Sequence, residues 1–146
     1  MMPQYHFIIS VVVSLIFFVF TRSPTASLLC FLAGFMLDAD HLIDFWLYKG
    51  RLTLSREILQ GFYEKWDKVP VLFHSIEFLI PVALLGFLFP SLSLLLLGIA
   101  TGFLSHLILD FMSYELHPLS YFLTYRVIKR FDKRYICVES HVRRTN

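Results

Sequence analysis

The sequence predicts an all-α integral membrane protein, a bundle of four transmembrane helices with one interfacial amphipathic helix. Three observations predict it. Of 146 residues, 57% are hydrophobic and 16% are charged, whereas a soluble domain carries about a quarter charged residues. The apolar residues gather into four long runs, and every Lys and Arg falls outside them. Between the second and third runs lies a stretch whose apolar residues recur at helical spacing. The mean hydropathy is +0.66. These features fit one membrane-embedded domain over residues 1–125 and a basic tail over 126–146. The net charge of +2 is too small to argue for nucleic acid.

The first run, from Tyr5 to Phe20, is just long enough to approach a bilayer crossing. A cleaved signal peptide is the competing reading, but no Lys or Arg precedes the run to supply its positive start, so a retained helix is expected. Thr21-Arg22-Ser23-Pro24 separates it from the second run, Ala26 to Tyr48. The third run covers Val71 to Phe89 and the fourth Leu92 to Tyr114, with Pro90 and Ser91 between them. Pro24, Pro70 and Pro90 stand at boundaries, where proline suits a helix start or exit; Pro81 lies inside the third run and should kink it. Cys30 and Cys137 form neither a disulfide framework nor a metal-ligand spacing.

In the central segment, Leu54, Ile58, Leu59, Phe62, Tyr63 and Trp66 fall on one helical face, opposite Arg56, Glu57, Glu64 and Lys65. That pattern predicts a helix lying on the membrane surface, as an anchor or as a lid over a site at the same face. Lys49, Arg51, Arg56, Lys65 and Lys68 crowd this segment; Arg126, Lys129, Arg130, Lys133, Arg134, Arg143 and Arg144 crowd the tail; Arg22 stands alone on the other side. The positive-inside rule then puts both termini and the central segment on the cytoplasmic side of a multi-pass membrane protein.

Asp38, Asp40, Asp44, Glu77 and Asp110 sit within the apolar runs, with His6, His41, His74 and His106 in or beside them. Carboxylates in hydrocarbon need a proton, a counter-ion or a metal. Four helices of alternating direction would bring these residues to one level near the cytoplasmic face. His106 and Asp110 are four apart, and His74 and Glu77 three apart, so each pair would share a helical face and chelate one ion. Asp38 and His41 are also three apart, while Asp40 points roughly 160° from Asp38 at about 100° per residue. Asp40 therefore serves a second ion or orients a ligand. Asp44 and His6, each taken alone, read as interfacial polar residues; His117 follows the fourth run closely enough to approach the site, and His141 reads as solvated. Imidazole with carboxylate suits zinc, manganese or iron. The donors exceed what one tetrahedral ion uses, which favours two divalent ions over one.

Leu37-Asp38-Ala39-Asp40-His41 and Ser105-His106-Leu107-Ile108-Leu109-Asp110, with His6 and His74-Ser75, resemble the bacterial and archaeal family of predicted membrane-bound metal-dependent hydrolases, whose best-known branch is called LexA-regulated or LexA-binding. The resemblance covers the chain to about residue 125. Many members carry a His-Arg shortly before a Thr-His-Ser; this chain reads Leu72-Phe73-His74-Ser75, and Glu77 is the candidate replacement for the missing ligand. The resemblance implies metal held by His6, Asp38, Asp40, His41, His74, Glu77, His106 and Asp110. With Asp40 or Glu77 as general base, the expected reaction is hydrolysis of an ester or phosphoester on a lipid-linked substrate. A cation- or proton-coupled transporter and a non-catalytic metal-binding membrane protein are the alternatives. Sequence leaves the oligomeric state open.

Overall fold

The computed structural model describes residues 3–50, 67–113 and 116–137. The amphipathic stretch Leu54–Trp66 and His141 lie outside the described residues. Over the described residues the chain is all-helical, and its β pairing is confined to two isolated bridges, Lys68 with Asp132 and Leu116 with Cys137.

Helix α1 covers Pro3–Thr21. After a short break, α2 runs Pro24–Phe35, a 3-10 turn follows at Met36–Ala39, and α3 runs Asp40–Lys49. A second 3-10 turn, Ile76–Phe78, leads into α4, Leu79–Leu88; a third, Pro90–Leu92, leads into α5, Ser93–Ser113. The C-terminal segment has a 3-10 turn at Pro118–Tyr121 and two short helices, α6 (Leu123–Ile128) and α7 (Lys133–Ile136). Pro24 opens α2 at the position proline favours, with the Ser23 hydroxyl accepting from Ala26 N–H. Gly50 ends α3 at φ 68°, the left-handed conformation that glycine adopts without penalty, and its N–H returns to the Trp46 carbonyl.

Three helical stretches are long and apolar enough to cross a membrane: Gln4–Thr21, Pro24–Lys49 and Pro90–Ser113. The sequence predicts four. The third run is helical only over Ile76–Leu88, about 20 Å at 1.5 Å per residue. The reason lies in residues 71–75. Val71 has a φ of 37°, and the N–H groups of Val71 and Phe73 bond to the carboxylates of Asp44 and Asp40. Because the regular helix starts at Leu79, Pro81 falls in its first turn, where a missing N–H costs nothing, and not in the middle of a longer helix.

The described chain forms two compact units. The first contains residues 3–37 and 76–113, that is α1, α2, α4 and α5. Its interior is small and polar, and its exterior is large and apolar. Ser10, Ser14, Ala26, Ser27, Cys30, His6, His106 and Asp110 are buried, while Phe20, Phe87 and Met112 are among the most exposed side chains. Helices α2 and α5 meet through Ala26, Cys30 and Gly34 on one side and Gly98 and Gly102 on the other. A Cβ on Gly98 would overlap the Ala26 carbonyl, and one on Gly102 the Cys30 carbonyl. Small residues four apart let helix backbones approach in lipid, where association depends on packing and not on the hydrophobic effect. This inverted surface is consistent with a place in a membrane.

The second unit contains residues 38–50, 67–75 and 116–137. Here the C-terminal segment folds back on residues 67–69: Val69 N–H donates to Phe131 O and Lys133 N–H to Asp67 O, both at 2.9 Å. Residues 126–137, expected as the start of a basic tail, are thus tied down in part: Arg126 and Ile136 are buried, while Val127, Ile128 and Tyr135 are exposed. At the surface, Asp132 caps α7 and pairs with Arg134, whose hydrogen bonds hold the Asp132 carboxyl below its usual range.

Candidate metal centres

Each unit carries one group of three residues whose ligand atoms lie within 4.8 Å of one another: His6, His106 and Asp110 in the first, Asp38, His41 and His74 in the second.

In the first group, α1 supplies His6 and α5 supplies His106 and Asp110 on one face. His6 Nε2 stands 3.2 Å from Asp110 Oδ1, and His106 Nε2 stands 3.3 Å from Asp110 Oδ2. The two imidazoles stack with centroids 4.1 Å apart. His106 Nδ1 is 2.6 Å from the Gly34 carbonyl. A carbonyl only accepts, so Nδ1 carries a proton, and Nε2 is turned toward a carboxylate oxygen of Asp110. With the ring neutral, two lone pairs face each other there, stably when a cation lies between them. Protonating both stacked rings would set two like charges face to face; one divalent ion could take a nitrogen from each ring and the carboxylate together.

The second group repeats this logic. The 3-10 turn at Met36–Ala39 carries Asp38, the first turn of α3 carries Asp40 and His41, and the loop after Pro70 carries His74. Asp40 Oδ2 accepts from Phe73 N–H and from His74 Nδ1, each at 3.0 Å. That contact places the proton on Nδ1 and leaves His74 Nε2 facing Asp38 Oδ1 at 3.6 Å. His41 Nε2 is 3.5 Å from the same oxygen. A carboxylate behind a histidine, with the far nitrogen turned to a cation, is the usual support of a metal-binding imidazole. In burial the groups differ: His6, His106 and Asp110 are all buried, whereas Asp38 and His41 are partly exposed.

The spacings suit a transition metal. Ligands about 2.0–2.1 Å from a tetrahedral zinc lie roughly 3.3–3.5 Å apart; the nitrogen–oxygen separations here run from 3.2 to 3.6 Å. In each group the three ligand atoms that would meet one ion lie within 4.8 Å of one another.

The other candidate residues are placed as follows. Neither group includes Asp40 or Glu77 among the described residues. Asp40 lies behind His74, and Glu77 sits in the 3-10 turn Ile76–Phe78. His74 itself is in a loop, so the shared helical face expected for His74 and Glu77 does not form. Asp44, expected as a plain interfacial carboxylate, is fully buried within the protein and accepts from Val71 N–H at 2.7 Å. His117 belongs to neither group; its ring stacks on Tyr125, and its Nδ1 accepts from Leu119 N–H.

Arg126 is the residue that sequence reasoning missed. Its guanidinium donates to the carbonyls of Pro70, Val71 and His74 and to the Ser75 hydroxyl. One signal pointed that way: Arg126 is the first cation after the last apolar run, in a stretch still rich in aromatics.

The chain matches no protein-family model, no curated protein and no solved structure, so the chemistry of the two groups carries the functional reading.

Proposed function

We propose that the chain is a membrane-embedded metal-dependent hydrolase acting on an ester or phosphoester of a lipid-linked substrate. The supporting observation is the Asp38–His41–His74 group, with His74 Nδ1 held by Asp40 and Nε2 turned to Asp38. Each group takes a divalent ion, zinc before manganese or iron, because imidazole nitrogen and carboxylate oxygen at these spacings suit it best. A divalent ion supplies Lewis acidity and a water acidic enough to attack an ester near neutral pH. The protein's own residues fix the ligands: Asp40 sets the His74 tautomer, and Gly34 sets that of His106. The partly exposed group is the reacting one, because a substrate must reach it. The buried group holds its ion without turnover. The apolar exterior of the first unit favours a substrate that arrives along the membrane.

The same reading gives the chain four crossings of an inner membrane, with Ile76–Leu88 as the short fourth. The Lys and Arg distribution supports cytoplasmic termini and a cytoplasmic central segment.

The test is metal analysis of detergent-purified protein beside Asp38→Ala and His106→Ala, followed by turnover of phosphodiester and phospholipid ester substrates. The expectation is bound zinc in the wild type, less in both variants, and turnover abolished in Asp38→Ala. Wild-type protein free of transition metal after gentle purification would sink the metal reading. Full metal with no hydrolysis of any ester class would sink the hydrolase and leave a binding protein. A transporter would need a gradient, whereas hydrolysis in detergent needs none.

A further inference from the structure

Residues 70–75 have no helix or strand to satisfy their backbone, yet they carry the metal-group residue His74. Two of their N–H groups turn back on the segment itself, His74 to Val71 O and Ser75 to Phe73 O; others are met by side chains from elsewhere in the chain. On the donor side, Asp44 takes Val71 N–H and Asp40 takes Phe73 N–H. On the acceptor side, one guanidinium serves the segment: Arg126 Nη1 donates to Pro70 O at 2.8 Å and to Val71 O, and Nη2 donates to His74 O at 3.1 Å and to Ser75 Oγ. Arg126 is 2% exposed, and His74 and Ser75 are also buried. Val71, a β-branched residue at φ 37°, sits in a conformation that surrounding contacts must hold.

We infer that Arg126 is a positioning residue for the Asp38–His41–His74 centre, and that docking of the C-terminal segment completes that centre. This inference rests on the proposal that the group binds a divalent ion. The physical ground is the geometry of the guanidinium. It presents donors in a rigid planar fork, so one residue can hold carbonyls of residues 70, 71 and 74 in fixed relation, which a lysine ammonium on a flexible stem does poorly. Carbonyls left buried without a donor would turn away, and the His74 backbone would turn with them. His74 Nδ1 would then lose its 3.0 Å contact with Asp40, and Nε2 its aim. The segment that brings Arg126 is itself fastened to the loop's approach by the backbone bonds at Asp67 and Val69.

The experiment is cobalt titration of the metal-stripped, detergent-solubilised full chain. Readouts are the visible cobalt spectrum and affinity for wild type, Arg126→Gln, Arg126→Lys, Ser75→Ala and His74→Ala. Partial loss on changing a tuning contact to a ligand runs to roughly 10–100-fold in affinity. We expect Arg126→Gln to lose that much, with the tetrahedral band reduced toward the His74→Ala spectrum. Arg126→Lys should recover part of the loss, and Ser75→Ala should lose less than tenfold. Cobalt held by His6, His106 and Asp110 should stay at the wild-type level in all four, which a general loss of fold would not allow. Wild-type affinity and spectrum in Arg126→Gln would overturn the inference. Should Arg126→Gln fail to purify, an unchanged spectrum in both Arg126→Lys and Ser75→Ala overturns it equally. Failure of the wild type to bind cobalt would instead defeat the metal proposal itself.

Discussion

A histidine that donates one ring N–H to a carbonyl or carboxylate can, when neutral, offer its other nitrogen to a cation. His106 and His74 both stand in that position, behind Gly34 O and Asp40 Oδ2 respectively. Their partners differ in what they can do. The Gly34 carbonyl fixes a tautomer, whereas the Asp40 carboxylate also pushes electron density through the ring and makes Nε2 the better ligand. Asp40→Asn keeps the shape and removes the charge. It should lower metal affinity of the Asp38–His41–His74 group about 10–100-fold and leave the His6–His106–Asp110 ion bound, as measured by chelator competition. An unchanged affinity would show that Asp40 is needed only for the fold. At this scale the sequence was informative about residue types and less so about roles. His106 with Asp110 was legible because both ride one regular helix. Asp40 was legible as the odd member, from its angle to Asp38. Asp44 was not, since its partner is a backbone N–H twenty-seven residues away in a loop that no periodicity announces.

At the scale of elements, glycine sets how near α5 comes to α2. A Cβ at Gly102 would run into the Cys30 carbonyl and lie 3.0 Å from Gly34 N; both are backbone and cannot swing aside. Gly102→Ala should therefore push the helices apart, at a cost of about 1–3 kcal/mol for an overpacked site. His106, one turn further along α5, should also lose its hold on Gly34 O, so its ion should weaken. Gly86→Ala is the control: its Cβ meets nothing nearer than the Leu96 side chain at 3.8 Å, and alanine is the better helix former, by up to about 1 kcal/mol. Denaturation in mixed micelles would read both, and equal stability of the two variants would refute the close-packing account. The apolar runs that form α1, α2 and α5 were visible in the chain. The third run misled because hydropathy does not register where a backbone leaves the helix. Val71 to Ser75 are apolar enough to belong to a span, but Asp40, Asp44 and Arg126 from elsewhere in the chain claim their backbone groups.

At the scale of the molecule, each ion would act as a cross-link within its own unit. One joins α1 to α5; the other joins Asp38 and His41 to a loop more than thirty residues further on. An ion bound by the folded state alone stabilises it by about 2.7 kcal/mol at a free concentration one hundred times its Kd, so stripping metal should lower the melting temperature. The difference in burial predicts how the metal leaves. An ion among His6, His106 and Asp110, 2%, 2% and 4% exposed, can escape only when α1 and α5 part. An ion at Asp38 and His41, whose side chains are 21% and 31% exposed, has a path to a chelator without any opening. Release into excess chelator should therefore be biphasic, with a fast phase absent from Asp38→Ala and a slow phase absent from His106→Ala. The melting temperature should fall in two steps that track the phases, and added zinc should reverse both more effectively than manganese, following the affinity order of nitrogen and oxygen sites. A single phase removed by either substitution would mean that the two groups do not hold separate ions.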